Sequence, residues 1–571
     1  MSRLPLLLLC LLMLGPLMYL HSKKQRQQEL STLPPANAVR LPENSPKLLV
    51  LVVFDQLRGD YLSRWSSLYG NDGFNKLTRE GAWFTNCHYP YSMTVTGAGH
   101  ATLGTGCVPA QHGIVENDWY DRSIPGAVYC ATFGERYGMV PAGARSKSGK
   151  GAGGAPVRLL TPALGDYVKG ATSNRGKVIG ISLKDRGGVL PTGIKADICY
   201  WYDDNTGNFV TSDYYTDHLP SYMAQFNKLR TADQWYGKDW GYFRTDINYT
   251  TYSSQDDSPG EGTGVKQGRT FPHPMTGGEK KIGSKFYDAV YTSPYGNDLT
   301  WAAAKVVIEN EKLGQDANTD YLVVSYSSND SVGHAYGPDS QEVLDITLRS
   351  DMIVAEMIAY LDARVGRQNY VLALSADHGV SPNPEMARLK GHVANRVDAT
   401  REVVELEFML KVKYKTKAKW IEAVHGAGVY LNKQAVRQAG ISQAEAEQEV
   451  ANWFMSRPYY QEVYTRTQVL NASVLPPNGQ LVKNCFHPQR SGDVMPVLKP
   501  YHFLSKYTTG TTHGSPHEYD THVPLVFFGG NVQPGQHAER VSPQLAAVGL
   551  GHAIGQTIHD SAVKVPAGLF K

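Results

Sequence analysis

Residues 48–54 read LLVLVVF, and Asp55 follows them directly. An unbroken apolar run cannot alternate between core and solvent, so it reads as a strand buried on both faces. Four further runs repeat the pattern: Val178–Leu183 (VIGISL), Tyr321–Ser325 (YLVVS), Tyr370–Ser375 (YVLALS) and Pro524–Phe528 (PLVFF). Helical patterns lie between them. Over 341–365, Leu344, Leu348, Met352, Ala355 and Ala359 form one stripe that Gly366 ends. Residues 297–313 give a second amphipathic helix, and Ser542-Pro543 opens a last one. Strand–helix alternation of this kind predicts the α/β class: an open, mostly parallel sheet sandwiched by helices.

The chain has 571 residues, about two to four domains' worth of material. Lys+Arg 56 against Asp+Glu 53 leaves only +3. That balance argues against a nucleic-acid partner held by phosphate neutralisation. Charged residues at 19% and hydrophobic residues at 42% exclude a disordered chain, a coiled coil and a polytopic membrane protein. Two long stretches break the rhythm. Residues 196–294 are rich in Tyr, Trp, Asp and Gly, and 395–502 mix a helical part with Pro-rich loops. Both read as insertions that cap the edge of the sheet, within one domain spanning 48–571.

Arg3, the apolar run Leu4–Leu20 and then Lys23, Lys24 and Arg26 make residues 1–22 a signal peptide or a membrane anchor. Residues 23–47 are polar, carry four prolines and read as a tether. The protein is therefore expected to be exported, periplasmic or extracellular, and to meet a membrane only through that segment. Besides Cys10, the cysteines are Cys87, Cys107, Cys130, Cys199 and Cys485. One or two disulfides would suit an exported protein, though five cannot all pair within one chain. No CxxC pair exists, which argues against a thiolate zinc site. The loop 143–154 (GARSKSGKGAGG) imitates a phosphate-binding loop, but Gly151 follows Lys150 where Ser or Thr is needed. It reads as a solvated loop.

Chemistry-bearing residues gather where the apolar runs end, which is where open α/β sheets bind ligands. Asp55 follows the first run. Lys184 and Arg186, in LKDR, follow the second. Asp330 and His334 lie in SSNDSVGHAYG after the third, and Asp377 and His378 in SADHG after the fourth. His513, in TTHGS, precedes the fifth. Taken singly, each acid reads as a turn former or helix cap and each histidine as structural. Together they offer three carboxylates and three imidazoles, a donor set that suits zinc. Six ligands exceed one tetrahedral ion and suit two, an arrangement used on phosphoryl oxygens. The segment Tyr91–His100 (YSMTVTGAGH) adds Thr96 before Gly97, a hydroxyl where a helix would begin. Alone it reads as a helix cap; beside metal ions it reads as a nucleophile.

The order Asp55, Thr96, Asp330-x3-His334, Asp377-His378, His513 resembles the alkaline phosphatase superfamily. The stretches TVTGAGHATLGTG, GIVENDWYDR, VIGISLKDRGGVLP, FVTSDYY, SPYGNDLT, SSNDSVGHAYGP, LALSADHGV and TTHGSPHEYDTHVPLVFFG resemble the exported PafA-type alkaline phosphatases of the type I phosphodiesterase and nucleotide pyrophosphatase branch. The likeness runs from about Leu48 to Gly530. It implies the alkaline-phosphatase-like fold and two Zn²⁺ per chain. One ion would be held by Asp330, His334 and His513, the other by Asp55, Asp377 and His378. Thr96 would be the nucleophile, bridging toward the phosphoryl group. Asn117, Lys184 and Arg186 would bind the phosphoryl oxygens. The activity implied is hydrolysis of phosphate monoesters through a covalent phosphothreonine, by a chain expected to be a monomer.

Rival readings rest on single features. Sulfatases of the same fold use C/S-x-P-x-R, whereas this chain has Cys107-Val-Pro109-Ala-Gln111 without the arginine. Phosphodiesterases share the ligands, Thr and Asn, but typically lack the LKDR pair. An inactive phosphate-binding protein would not need every ligand position to be chemically competent. No G-x-S-x-G elbow is present. His100, His112 and His517 are expected to be structural.

Overall fold

The computed structural model describes residues 38–571 apart from 125, 133, 135, 147–151, 427 and 560–562. The leader at 1–22, most of the tether, Cys10 and the centre of the 143–154 loop lie outside the described residues.

Ten strands form the main sheet: β1 Leu48–Phe54, β2 Ala82–His88, β3 Met139–Val140, β4 Val178–Ser182, β5 Ile198–Asp203, β6 Asn208–Ser212, β7 Asp320–Tyr326, β8 Tyr370–Ser375, β9 His522–Gly529 and β10 Gly535–His537. Their order is β10-β2-β9-β8-β1-β7-β4-β5-β6-β3. The five central strands, β8 to β5, are parallel to one another. The next strand on each side, β9 and β6, runs antiparallel to its neighbour. Every residue of β1, β7 and β8 is buried, as their unbroken apolar runs require.

Register brings the site together. Phe54 lies opposite Tyr326, Val53 opposite Ser375, and Ser325 opposite Ser182. Asp55, Asp330, Asp377 and Lys184 therefore leave four adjacent strands at one rim. Because β9 is antiparallel, its beginning lies at that same rim, which brings the preceding His513 there.

Three sequence expectations need correction. The insertion expected from residue 196 starts later, because β5 and β6 belong to the main sheet. The Tyr- and Trp-rich β5 looks polar, yet Tyr200 and Trp201 bury their rings completely. The stripe expected on 341–365 is also displaced. The helix Gln341–Arg364 forms, but Met352 is exposed while Ser350, Val354, Ile358 and Leu361 face the core. Steps of four residues drift around a 3.6-residue turn, so that stripe walked off the buried face. Finally, Cys87, Cys107, Cys130, Cys199 and Cys485 are all free and buried.

The second expected insertion has its own core. Four strands, Ile421–His425, Gly428–Leu431, Val494–Leu498 and Tyr460–Thr465, pair in that order. Leu406, Trp420, Val450 and Phe454 pack beneath them. Its entry and exit, Asn395–Val397 and His502–Leu504, pair in parallel, which ties the insertion to one point beside the rim.

Candidate active site

Helix α1, Thr96–Thr105, starts at the rim. Val95 takes the N-cap position and Thr96 the first turn, so Thr96 makes no side-chain cap. Its Oγ1 lies 3.5 Å from His378 Nε2 and 3.4 Å from Arg186 Nη2. Gly97 N donates to Asn117 Oδ1 at 2.8 Å, which fixes the carbonyl end of that amide and turns its NH₂ donors outward. The helix packs hard on the ligand loop: a Cβ at Gly99 would lie 2.2 Å from Asp377 O. Only glycine allows this approach.

The metal-type donors meet where the strands end. Asp330, His378 and His513 place ligand atoms within 4.8 Å of one another, and so do Asp55, Asp377 and His378. The two groups share His378. His334 stands against Asp330, Nε2 to Oδ1 3.1 Å, but is not part of the tight group with His513. The rings of His378 and His513 stack with centroids 3.4 Å apart.

Each imidazole is oriented by the backbone. His334 Nδ1 donates to Thr511 O at 2.8 Å, His378 Nδ1 to Gly379 O at 2.9 Å, and His513 Nδ1 to Thr94 O at 2.7 Å. With the proton held on Nδ1, every Nε2 offers a lone pair toward the carboxylates. Asp55 Oδ1 is buried without a hydrogen-bond donor among the described residues. Oriented lone pairs and an orphaned carboxylate oxygen together fit divalent cations.

The charges are tightly coupled. Burial and the neighbouring Asp377 carboxylate push Asp55 well above the usual carboxylate range. Burial works against ionised Asp330, but His334 and Lys184 more than offset it and hold that carboxyl well below the range. Burial and the adjacent His378 push His513 down. Lys184 Nζ bridges Asp55 Oδ2 and Asp330 Oδ2, 2.6 Å from each. Burial alone would lower the Lys184 ammonium, yet those two carboxylates raise it.

Lys184 and Arg186 reach the rim from the start of one helix. Lys184 takes the N-cap position of helix α2, Asp185–Thr192, without a side-chain cap, and Arg186 lies in its first turn. Asp185 turns away, accepting from Tyr129 OH at 2.5 Å and Ser146 Oγ at 3.0 Å. The same phenol oxygen accepts from Arg186 Nη1 at 3.2 Å, steadying the guanidinium beside Thr96.

Sequence reasoning missed three contributors. Gln56 Nε2 donates to Asp330 Oδ1 at 2.7 Å, and Gln56 N to Asp377 Oδ1 at 3.1 Å. His100, expected to be structural, places Nδ1 3.1 Å from Asp377 Oδ2 and 2.9 Å from Thr96 O. Its spacing of four residues from Thr96 on one helix face was the available signal. Tyr129 gave none. Among the described residues, His112 bonds to Thr102 Oγ1 and Ile114 N, and His517 to Ser515 Oγ and Leu498 O.

This fold and site define a metal-dependent hydrolase, and the chain belongs to the type I phosphodiesterase / nucleotide pyrophosphatase family, whose pattern it matches over residues 49–520. Within that family it groups with the PafA-type alkaline phosphatases. It is 34% identical to alkaline phosphatase PhoV of Synechococcus elongatus over 522 residues, 90% of each chain. It is also 34% identical to alkaline phosphatase PafA of Elizabethkingia meningoseptica, over 88% of this chain and 91% of that one. The crystal structure of wild-type PafA superposes with a TM-score of 0.85 at 32% identity, covering 92% of this chain and 99% of that one.

Proposed function

We propose that the protein is an exported, zinc-dependent alkaline phosphatase that hydrolyses phosphate monoesters through a phosphothreonine at Thr96. The observation that carries this is the position of Thr96 Oγ1, between His378 Nε2 at 3.5 Å and Arg186 Nη2 at 3.4 Å. A hydroxyl between a metal-type donor and a guanidinium is placed to attack an anionic phosphorus centre.

Asp330, His334 and His513 would hold one Zn²⁺, and Asp55, Asp377 and His378 the other; all-oxygen and imidazole donors without thiolate suit that metal. When bound, the pair supplies Lewis acidity to the attacking and leaving oxygens. Thr96 Oγ1 gives up its proton and attacks phosphorus, and the ester oxygen leaves with the alcohol. Water then cleaves the phosphothreonine, releases phosphate and restores Thr96. Asn117 donates to a non-bridging oxygen. Lys184 and Arg186 meet the second negative charge that a monoester has and a diester lacks.

The diesterase reading shares the ligands, Thr96 and Asn117, and lacks only a use for the two cations. Purified protein given a phosphate monoester and a diester with one leaving group tests the choice. The monoester is expected to lead in kcat/KM by roughly a hundredfold or more. Preference for the diester would overturn the proposal.

A further inference from the structure

Two of the cavities near the site share a wall. The larger, about 400 Å³, is walled by Met93, Asn117, His334, His513 and Gly426. The smaller, about 90 Å³, is mostly apolar, with Val115, Val482, Met495 and Val497 among its walls beside Ser92, His425 and Ser491. Glu116 lines both.

Its carboxylate is set up in an unusual way. Oε1 accepts from Asn117 N at 2.9 Å, so the side chain is anchored to the residue expected to bind the phosphoryl group. Oε2 is buried and has no hydrogen-bond donor among the described residues. The charge of Arg186 acts on Glu116 and works against the effect of burial, but no salt bridge to the carboxylate is formed among the described residues. The cap insertion roofs it: a Cβ on Gly426 would come within 2.4 Å of Oε2. Burial pushes the acid up to about 7, so it is ionised at alkaline pH. An ionised oxygen in an apolar wall is strongly unfavourable unless a donor meets it.

We propose that Glu116 is a specificity residue, and that its buried oxygen receives the ammonium group of a short amino-alcohol leaving group whose ester oxygen lies by His334 and His513. The small apolar cavity admits methylenes but not a large aromatic group. The large cavity gives the alcohol its way out. This rests on the monoesterase reading and adds the chemistry of the alcohol to it.

The test compares O-phosphoethanolamine with n-propyl phosphate, similar in size but without the ammonium, at about pH 8.5. There Glu116 is ionised and an alkylammonium, with a value of about 10.4, is still charged. The wild-type protein should favour O-phosphoethanolamine in kcat/KM by roughly tenfold to a hundredfold, the usual worth of a charge-assisted hydrogen bond. Glu116→Gln should reduce that ratio by roughly tenfold or more, and Glu116→Asp should retain part of it. The electron-withdrawing effect of the ammonium on the ester persists in every variant, so the fall in ratio isolates the carboxylate. A wild-type ratio near one, with both monoesters turned over, overturns the subsite alone, whether or not the variants fold. An undiminished ratio in folded Glu116→Gln does the same. Turnover of diesters and of neither monoester overturns the subsite together with the monoesterase reading.

Discussion

Lys184 Nζ and Asp55 Oδ2 are 2.6 Å apart in a buried pair, and the same ammonium reaches Asp330 Oδ2 at 2.6 Å. One lysine thus spans the two candidate metal groups. With all three carboxylates ionised, as metal ligands are, the group and its one ammonium would carry a buried charge of about −2, which divalent cations can balance. Besides the phosphoryl-binding role proposed for it, Lys184 steadies two carboxylates that would otherwise repel.

Arg186 instead contacts Thr96 Oγ1 and Tyr129 OH, and the two cations should separate in experiment. Arg186→Ala is expected to lower monoester kcat/KM by about 10²–10³, the loss typical of one transition-state donor, with far less effect on diesters. Lys184→Ala should lower monoester turnover at least as much and also reduce metal retention, because Asp55 and Asp330 lose their bridge. Kinetics on both substrates, with metal content measured after dialysis, checks this. Equal losses on monoester and diester for Arg186→Ala would count against a monoesterase site.

Thr96 should carry the phosphoryl group. Acid-quenched protein incubated with phosphate is expected to show phosphate on the peptide containing Thr96. Thr96→Ala should abolish that adduct, and Thr96→Ser should keep it, since the attacking hydroxyl survives. Phosphate found on another residue would refute the assignment. So would wild-type turnover in Thr96→Ala.

The donor set predicts about two zinc ions per chain by elemental analysis. Chelation should remove activity, and Zn²⁺ should restore it. Asp377→Asn should be the most damaging conservative change among the ligands. It removes a charge from a buried residue whose Oδ1 accepts from Gln56 N and whose Oδ2 faces both His100 Nδ1 and His378 Nε2. Retention of two ions by that variant would contradict the assignment of Asp377.

Much of this architecture was legible because it rests on patterns that leave little choice. An apolar run such as LLVLVVF can only be a doubly covered strand, and a polar residue directly after it must emerge at the rim. What the sequence could not show was register and direction. His513 reaches the site because β9 runs antiparallel, which no local pattern reveals. The β5 residues Tyr200 and Trp201 looked like cap material because their polar tips mask buried rings. Gln56 escaped notice for a related reason. A glutamine next to a ligand has no motif, and its role depends on a glycine across the gap, since a Cβ on Gly333 would lie 1.8 Å from its Oε1.

Stability should depend on alkaline pH through a buried acid, Glu261, that is not among the candidate site residues. Glu261 is 1% exposed, and its Oε2 accepts from Ser258 N at 3.0 Å. Burial first, and then the neighbouring Glu342 carboxylate, push it up to about 9 from an ordinary 4.5. The folded chain therefore holds a proton there that the unfolded chain releases. Its contribution to stability is complete below about pH 4.5 and is lost as pH rises through about 9. Glu261→Gln keeps an oxygen for Ser258 N and cannot ionise. The Tm of Glu261→Gln minus that of the wild-type protein should therefore grow as pH rises from about 5 to about 9 and level off above it, reaching on the order of several °C. Thermal unfolding of both proteins across that range, in a buffer of constant ionic strength, measures the difference. A gap that stays constant with pH would show that Glu261 ionises alike in the folded and unfolded chain.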